Sequence, residues 1–403
     1  MEIGPIFRAL MRSKTSVLLI ALQIAVTMAI MANAIAIIQE RSRLMDRPSG
    51  VDEDNIFYLS STGFSADFDA RSAITEDLNA IRNTPGVVDA ISTNTVPLQG
   101  GGWSSDIRVE PGRDNEAADF AIYFSDEHGI DTFGVDLIAG RNFLPTDVYW
   151  QDFDVNRWAG AGMITRAGAE TLFPDDPDSA LGKTVYINDD VPITIVGIID
   201  IMQAAWKSWS GVERSMIVPQ IRPENSTRYV IRTEPGRRDE LMPAIEDMLA
   251  NANQGRIIQW MKSMTDVRKR SYAGDAAMIK LLIFIVSVLT AITSLGIVGL
   301  ASFSVTRRRK QIGTRRALGA TRPAILRYFM LENFMISSVG VVAGAILAVA
   351  LNIWMVQTFD LTRIAWYIIP GAMLVLWLVG QAAVYGPARR ASLVPPAIAT
   401  RAV

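Results

Sequence analysis

The sequence contains no cysteine among its 403 residues and only one histidine, His128. The lack of cysteine excludes disulfide bonds, thiolate metal sites and a Cys–His catalytic pair, and one histidine cannot build a zinc site alone. A complete nucleotide-binding motif is also absent. PDSALGKT (177–184) ends like a phosphate-binding loop. However, Pro177 replaces the first glycine and strand-like residues follow where a helix should begin, so we interpret Gly182 as a turn residue.

Acidic residues are abundant, which raises the alternative of a hydrolase with a carboxylate pair and His128 as its base. Solvated surface carboxylates are far commoner, and no nucleophile-elbow or metal-ligand spacing accompanies them. We therefore expect no catalytic residue, cofactor or metal site, and we interpret His128 as a turn residue. Five tryptophans could line an apolar ligand groove, although packing within a domain is the favoured role. They are Trp103, Trp150, Trp158, Trp206 and Trp209.

Long apolar runs are prominent in a chain that is 50% hydrophobic. Residues 16–38 carry no charge, and about 20 apolar residues suffice for a helix to cross a hydrocarbon layer of roughly 30 Å. Three similar runs follow at 280–305, 330–357 and 366–386. A cleavable signal peptide is the alternative for the first run. We favour a retained membrane anchor, because the run is long and no small-x-small cleavage site follows it.

Charge is divided unevenly along the chain. Residues 41–275 hold 37 of the 41 acidic and 23 of the 39 basic residues, a net charge of −14, whereas the remainder carries +12. Basic residues of the remainder cluster before the first run, between the second and third, and after the fourth. Four spans place these clusters on one side of the membrane, which the positive-inside rule makes cytoplasmic. Both termini are then cytoplasmic, and residues 41–275 lie outside.

The pattern within residues 41–275 predicts a mixed α/β domain that is long enough to bury its own core. The predicted strands lie at 55–60, 183–189, 191–201 and 228–234, with a hairpin turn at Asp189 and Asp190. The fold class is therefore an α-helical membrane protein with four transmembrane helices and a large mixed α/β extracytoplasmic domain between helices one and two.

Two helices are predicted within this domain. Apolar residues at 74, 78 and 81 recur at helical spacing. Thr75 is the expected N-cap of this helix, with Glu76 and Asp77 in its first turn. The second helix is expected at 238–252.

The connection between the second and third spans contains RRRKQIGTRRALGA (307–320), which is more basic than a topology signal requires. Gly313 can end the helix that leaves the membrane, and Thr314 can cap a new short helix. Gly319 is the expected C-terminal stop of that helix.

A short capped helix with small, apolar and arginine side chains suits docking into a groove of a partner protein. Its candidate docking residues are Thr314, Arg315, Arg316, Ala317, Leu318 and Gly319. An interfacial helix held by anionic lipid is the alternative. Nucleic-acid binding is disfavoured, because the basic block lies at the membrane and lacks interleaved aromatic residues.

The segment RRRKQIGTRRALGATRPAILRYFMLEN (307–333) resembles the signature loop of FtsX-like ABC-transporter permeases of the MacB type. The resemblance covers nearly the whole chain. FGVDLIAGRNFLPTD (133–147), LFPDDPDSALGKTVYINDDVPITIVGIID (172–200) and GPARRASLVPPAIATRAV (386–403) also resemble segments of MacB-type permeases.

The resemblance implies a dimer with a second permease chain, identical or different, and binding to a cytoplasmic ABC ATPase. It assigns the ATPase-docking role to Thr314–Gly319, and it implies a stalk formed by residues 39–50 and 262–279. MacB itself has a fused N-terminal ATPase, whereas this sequence begins almost directly at the first span. We therefore expect a non-catalytic membrane subunit whose ATPase is a separate chain.

The implied function is that of a permease subunit in a tripartite exporter of the bacterial inner membrane. ATP hydrolysis would move the periplasmic domain, and a periplasmic adaptor and an outer-membrane channel would be further partners. A permease that extracts lipoproteins shares this architecture and is one alternative. A non-transporting, FtsX-like regulator of cell-wall hydrolases is another, although the outer domain looks large for that role.

The expected organisation has nine segments. They are an amphipathic cytoplasmic elbow (1–15), transmembrane helix one (16–40), the periplasmic domain with its stalk ends (41–275), transmembrane helix two (276–306), the cytoplasmic coupling loop (307–323), transmembrane helix three (324–358), a short periplasmic loop (359–365), transmembrane helix four (366–386) and a cytoplasmic tail (387–403).

Three residues of the third span attract separate predictions. Gly340 and Gly344 form a small-xxx-small pattern, which we consider as a dimer seam. Glu332 is expected near the interface, paired with Arg327 or with the ATPase, because a charge deep in the bilayer is costly. A substrate-coupling carboxylate is the alternative role for Glu332.

Overall fold

The computed structural model describes residues 14–151, 157–188, 190–359 and 363–395. The chain divides into two compact units. The membrane unit contains the residues up to Asp46 and those from Asp275 onward, and the large domain is Arg47–Gly274. The elbow expected at residues 1–15 lies almost entirely outside the described residues.

Helices and strands alternate through the large domain and give way to long helices in the membrane unit. The helices are α1 (Lys14–Met45), α2 (Ala70–Arg82), α3 (Gly129–Phe133), α4 (Arg166–Leu172), α5 (Arg238–Ala252), α6 (Met264–Ser271), α7 (Ala273–Arg307), α8 (Arg309–Ala317), α9 (Arg322–Phe359) and α10 (Ile368–Ser392). The strands are β1 (Ile56–Gly63), β2 (Val87–Thr93), β3 (Trp103–Arg108), β4 (Ala117–Phe124), β5 (Leu137–Gly140), β6 (Tyr149–Trp150), β7 (Ala161–Thr165), β8 (Thr184–Ile187), β9 (Val191–Ile199), β10 (Ser215–Val218), β11 (Gln220–Ile221), β12 (Ser226–Thr233) and β13 (Arg256–Ser263). Helices α1, α7, α9 and α10 are long and apolar enough to cross a membrane, which confirms the predicted fold class.

Helix α9 packs against both α1 and α10. A Cβ atom added at Gly344 would lie 2.5 Å from the Cβ atom of Met28 and 2.7 Å from the carbonyl oxygen of Ala25. Gly340 approaches α1 of the same chain equally closely, with 2.8 Å to the carbonyl oxygen of Ala21. Small residues allow this close helix contact. The interpretation of the two glycines as a dimer seam is therefore wrong, because α1 covers them.

Individual hydrogen bonds of polar side chains connect neighbouring membrane helices. The hydroxyl groups of Thr27 on α1 and Thr293 on α7 lie 2.8 Å apart, and the Asn333 amide donates to the carbonyl oxygen of Gly380 at 3.0 Å. Among the four membrane helices, α7 is the least buried within this chain. Only 11% of its most apolar window is buried in the chain, compared with 61% for α1. Most of α7 is therefore available to lipid or to another chain.

The first sheet of the large domain has the strand order β13-β1-β12-β2 and is antiparallel throughout. Helices α2 and α5 cover one face, with Ile74, Leu78 and Ile245 in the shared core. Helix α2 begins at the N-cap Asp69, whose carboxylate accepts from the backbone N–H of Arg71 at 3.1 Å. The predicted N-cap at Thr75 is therefore wrong, because the helix begins more than one turn before its first apolar contact.

A buried ion pair closes this core. Asp77 accepts from the guanidinium of Arg256 and from the hydroxyl of Tyr229, the latter at 2.7 Å. Arg256 also donates from Nε and Nη2 to the carbonyl oxygen of Leu249. Burial, and then the charge and hydrogen bond of Asp77, raise the pKa of Tyr229 well above its ordinary value. The three side chains link α2, β12 and β13. Asp77 lies inside α2, which begins at Ala70, and not in its first turn as the sequence predicted.

The second sheet forms a closed ring of six strands in the order β9-β7-β10-β4-β3-β8, with β8 returning to β9 and with β5 attached to β9. Strands β8 and β9 pair antiparallel from Ile187 and Val191 outward, as the predicted hairpin requires. Asp189, in its turn, lies outside the described residues. The ring surrounds an apolar core that includes Ile107, Phe120 and Ile195. Closure of the ring leaves few open strand edges in this part of the domain.

Candidate functional site

The basic connection between α7 and α9 is the candidate site, and its geometry begins at Arg308. Helix α7 ends at Arg307 and α8 begins at Arg309, so the break lies at Arg308. The Nη1 atom of Arg308 lies 3.0 Å from both carboxylate oxygens of Glu332 and 3.4 Å from the hydroxyl of Tyr328. Its side chain therefore fixes the α7–α8 junction to α9.

The predicted break at Gly313 and cap at Thr314 are wrong. Gly313 is buried inside α8, and the Thr314 hydroxyl donates to the carbonyl oxygen of Lys310 at 3.1 Å. The threonine is thus bonded within a helical turn and does not cap the N-terminus. The break occurs five residues earlier than Gly313, where Arg308 is held by Glu332.

The predicted stop at Gly319 is confirmed. Gly319 has a φ of +94°, a left-handed conformation that glycine adopts without a steric penalty. The N–H of Gly319 donates to the carbonyl oxygen of Arg316, and that of Ala320 donates to Arg315 at 2.9 Å. These two bonds form the Schellman arrangement, which satisfies the last carbonyl groups of the helix. The end of α8 is therefore well defined.

The inner side of α8 is attached to the membrane unit. Ile312 is buried and belongs to the same apolar cluster as Tyr328 and Phe329 of α9. The guanidinium of Arg315 lies over the Tyr328 ring, 4.9 Å from its centroid. Arg316 donates to the carbonyl oxygen of Ala320 at 3.2 Å. Both arginines therefore make contacts within this chain, and Arg315 is also exposed to solvent.

The outer end of α8 is exposed. Leu318 is 83% exposed, and Thr314, Arg315, Ala317 and Gly319 are exposed beside it. A fully exposed leucine next to small residues at the end of a braced helix can enter an apolar groove. We call Ala317, Leu318 and Gly319 the α8 tip.

Glu332 has a different partner from the predicted one. It is 7% exposed and pairs with Arg308, whereas Arg327 precedes it by five positions on the same helix and lies on another side of α9. The sequence contained a signal for this pair, since a carboxylate in an apolar helix needs a cation and three consecutive arginines lie at the α7–α8 junction. Arg308 and Ile312 were missed as positioning residues, because sequence spacing does not show which arginine turns inward.

Other sequence candidates have structural roles. His128 lies in the turn before α3, with Nδ1 2.8 Å from the Asp89 carboxylate. No cluster of three or more metal-ligating side chains occurs among the residues that the structure describes. Gly182 lies in a turn before β8, with a φ of +76°. Trp158 packs in the core of the ring of strands. Trp103 contacts Trp158 edge-on, with 6.3 Å between the ring centroids.

Residues 15–248 match the MacB-like periplasmic core domain family, and residues 283–396 match the FtsX-like permease C-terminal family. The macrolide export ATP-binding/permease protein MacB of Bradyrhizobium diazoefficiens is 26% identical over 57% of this chain and 36% of that protein. The uncharacterized ABC transporter permease YknZ of Bacillus subtilis is 25% identical over 65% of each. This chain spans between 36% and 42% of the length of such MacB relatives.

Among solved structures, the periplasmic region of MacB from Actinobacillus actinomycetemcomitans covers 57% of this chain and 97% of that one, at 13% identity and a TM-score of 0.35. The family match over residues 15–248 includes more than half of the chain, and the second match covers three of the four membrane helices. The chain therefore belongs to the FtsX-like ABC-transporter permeases with a MacB-like periplasmic core domain.

Proposed function

We propose that the chain is the permease subunit of an ATP-driven exporter of the tripartite-efflux kind, and that an ABC ATPase on a separate chain docks on Thr314–Gly319. The observation that carries the proposal is the construction of α8. Its base is fixed by Arg308 and Ile312, while the α8 tip is exposed. A rigid base with an exposed apolar end is what a docking element needs, because little order is lost when the partner binds.

The braced base also explains how force would leave the docking site. The Arg308–Glu332 pair joins the α7–α8 junction to α9, so a displacement of α8 acts on two membrane helices together. Helix α7 begins at Ala273, within the last two residues of the large domain. ATP-driven movement of α7 would therefore reach the large domain through a continuous helix. We propose this route as the coupling mechanism, with no catalytic role for this chain.

The proposed location is the bacterial inner membrane, with both termini and α8 in the cytoplasm and residues 41–275 in the periplasm. The charge division supports this orientation, since the basic clusters flank the membrane helices on a single side. A second permease chain, identical or different, a periplasmic adaptor and an outer-membrane channel complete the proposed assembly. Relatives named as macrolide export proteins support an export role.

The docking proposal predicts a specific effect of charge at the α8 tip. Leu318→Asp should abolish co-purification of the ATPase, because a carboxylate would enter an apolar groove without a partner. The chain should still be found in the membrane fraction, since Leu318 is 83% exposed and supports no core.

Thr321→Asp provides the matched control. It adds the same charge three residues further on, at an exposed position whose hydroxyl accepts from the N–H of Ala324. Aspartate can fulfil the same capping role, so α9 should begin normally. Undiminished ATPase recovery with Leu318→Asp, or equal loss with both variants, would contradict docking at the tip.

A further inference from the structure

The large domain contains a pocket of about 390 Å³ that none of the functions above uses. Its walls come from β1, β13, α6 and two loops, at 98–100 and 205–208. The volume lies in the range of small-molecule sites, roughly 300–1,000 Å³. All twelve lining residues are described, and none of them is acidic. The domain around the pocket carries a net charge of −14, whereas the charged residues of the lining are all positive.

Three cations line the pocket, namely Lys207, Lys262 and Arg270. Among the described residues, neither Lys262 nor Arg270 forms an ion pair with a carboxylate, although other arginines of the domain do. A group of like charges is costly unless an anion or solvent balances it. Neither charge is neutralised by a carboxylate: the Lys262 ammonium lies 5.5 Å from the Trp260 ring centroid and Arg270 is exposed to solvent, so both are available to a bound anion.

A backbone irregularity places Lys262 in the pocket. Trp260 has a φ of +61°, which a tryptophan rarely adopts, and the β1–β13 register shifts by one residue at this point. Beyond the shift, Lys262 stands opposite Tyr58. Without the extra residue, Met261 would take that place and Lys262 would point to the other face of the sheet. Strained residues of this kind occur often at ligand sites.

Aromatic side chains lie among the cations of the pocket wall. Tyr58 is buried at the base, and the guanidinium of Arg228 lies 5.3 Å from its ring centroid. Burial raises the pKa of Tyr58, while the charges of Arg228 and Arg270 oppose that shift. The phenol hydroxyl therefore stays protonated at neutral pH and can donate a hydrogen bond. Trp206 adds an apolar ring to the lining.

The segments that form the pocket are tied to one another. The N–H of Gly100 donates to the carbonyl oxygen of Ala205 at 2.8 Å, which joins the two loops. Lys207 donates to the carbonyl oxygen of Ser271 at 2.6 Å, which joins the second loop to α6. A ligand would therefore find its contacts already in place.

We propose that this pocket binds a small organic phosphate, in which a phosphate monoester is attached to a flat apolar group. A phosphate monoester carries between −1.5 and −2 charges near pH 7, which matches several cations better than a single carboxylate does. Arg270 and Lys262 contact the phosphate, and Trp206 together with Leu98 and Val267 contacts the apolar part. The site lies wholly in the large domain, so it is independent of docking at α8.

The test measures binding of phenyl phosphate to the full chain in an uncharged detergent by calorimetry. One site per chain is expected. Inorganic phosphate lacks the ring and benzoate lacks the second charge, so each should bind about tenfold or more weakly. Affinity should also fall as salt is added, because the contact is between charges. Benzoate binding as tightly as phenyl phosphate would overturn the phosphate assignment, and absence of phenyl phosphate binding would overturn the site.

Two variants of adjacent residues on α6 locate the site. Arg270→Met should weaken phenyl phosphate binding by about tenfold or more, and Lys269→Met should leave it unchanged, because Lys269 is exposed but does not line the pocket. Equal effects of the two substitutions would contradict the proposal. An azide derivative of phenyl phosphate provides a measurement without substitutions. It should label peptides that contain 98–100, 205–208 or 262–271, and labelling away from the pocket lining would overturn the assignment.

Discussion

The large domain and the membrane unit each contain a buried arginine–carboxylate pair, and these two pairs are built differently. In the large domain, the side chains of Arg256 and Asp77 are 1% and 4% exposed, and each has further hydrogen-bond partners. In the membrane unit, those of Arg308 and Glu332 are 21% and 9% exposed. The first pair joins elements of one closed core. The second joins the end of a membrane helix to its neighbour beside an exposed tip.

This difference suggests two uses of the same chemistry. A fully enclosed pair costs much when one partner is lost, because the remaining charge cannot reach water. A pair near a surface loses less, since water can replace the missing partner. We infer that the Asp77–Arg256 pair maintains the fold of the large domain, whereas the Arg308–Glu332 pair maintains the position of α8.

The largest loss of stability is expected when the enclosed Asp77–Arg256 pair is broken. Arg256→Met leaves Asp77 buried without its cation and should destabilise the large domain by about 3–5 kcal/mol. Hydrogen–deuterium exchange of the full chain should show faster exchange in α2, β1 and α5. Arg166→Met is the matched control, because its partner Asp178 is 72% exposed and the pair should contribute about 0–1 kcal/mol. Similar exchange in both variants would remove the proposed contrast.

A smaller loss of stability is expected when a side chain is added where α9 packs closely against α1. Gly344→Ala would place a Cβ atom 2.5 Å from that of Met28 and should destabilise the membrane unit by about 1–3 kcal/mol. Gly299→Ala on α7 is the control, since no atom lies within 4 Å of its added Cβ. Thermal aggregation of the detergent-solubilised chain measures both. A lower midpoint for Gly299→Ala than for Gly344→Ala would show that α1 does not form this contact.

The smallest effect on stability, but a clear effect on coupling, is expected at the pair beside α8. Glu332→Gln keeps the shape of the side chain and removes its charge, so Arg308 should hold the α7–α8 junction less firmly. ATPase affinity should fall several-fold while exchange in the large domain stays unchanged. Glu40→Gln makes the same change in a pair with Arg43, away from α8. An unchanged ATPase affinity in Glu332→Gln would show that the pair does not position the tip.

Periodicity and length made the broad architecture predictable. Four apolar runs specify four spanning helices, and the strand and helix patterns near 228–252 correspond to β12 and α5. The start of α2 was misplaced, because the apolar pattern begins at Ile74 while the capping Asp69 lies five residues earlier. Local signals of capping outweigh hydrophobic spacing at helix ends.

The candidate site was predictable at one end only. The stop at Gly319 follows from a local backbone preference, and the structure confirms it. The break at Arg308 depends on Glu332, 24 residues away, and on Tyr328, so no local pattern could reveal it. The same reason explains the dimer seam that was wrongly assigned to Gly340 and Gly344, since sequence shows small residues but not which helix covers them.

The most direct measurement of the central claim is photo-crosslinking from a single cysteine at the α8 tip. The sequence has no native cysteine, so Leu318→Cys can carry a benzophenone maleimide as the only label on the chain. We predict an ultraviolet-dependent crosslink to the ATPase in native membranes, and none from Asp175→Cys in the exposed turn after α4 of the large domain. A crosslink from position 175 with none from position 318 would contradict both the docking site and the proposed orientation.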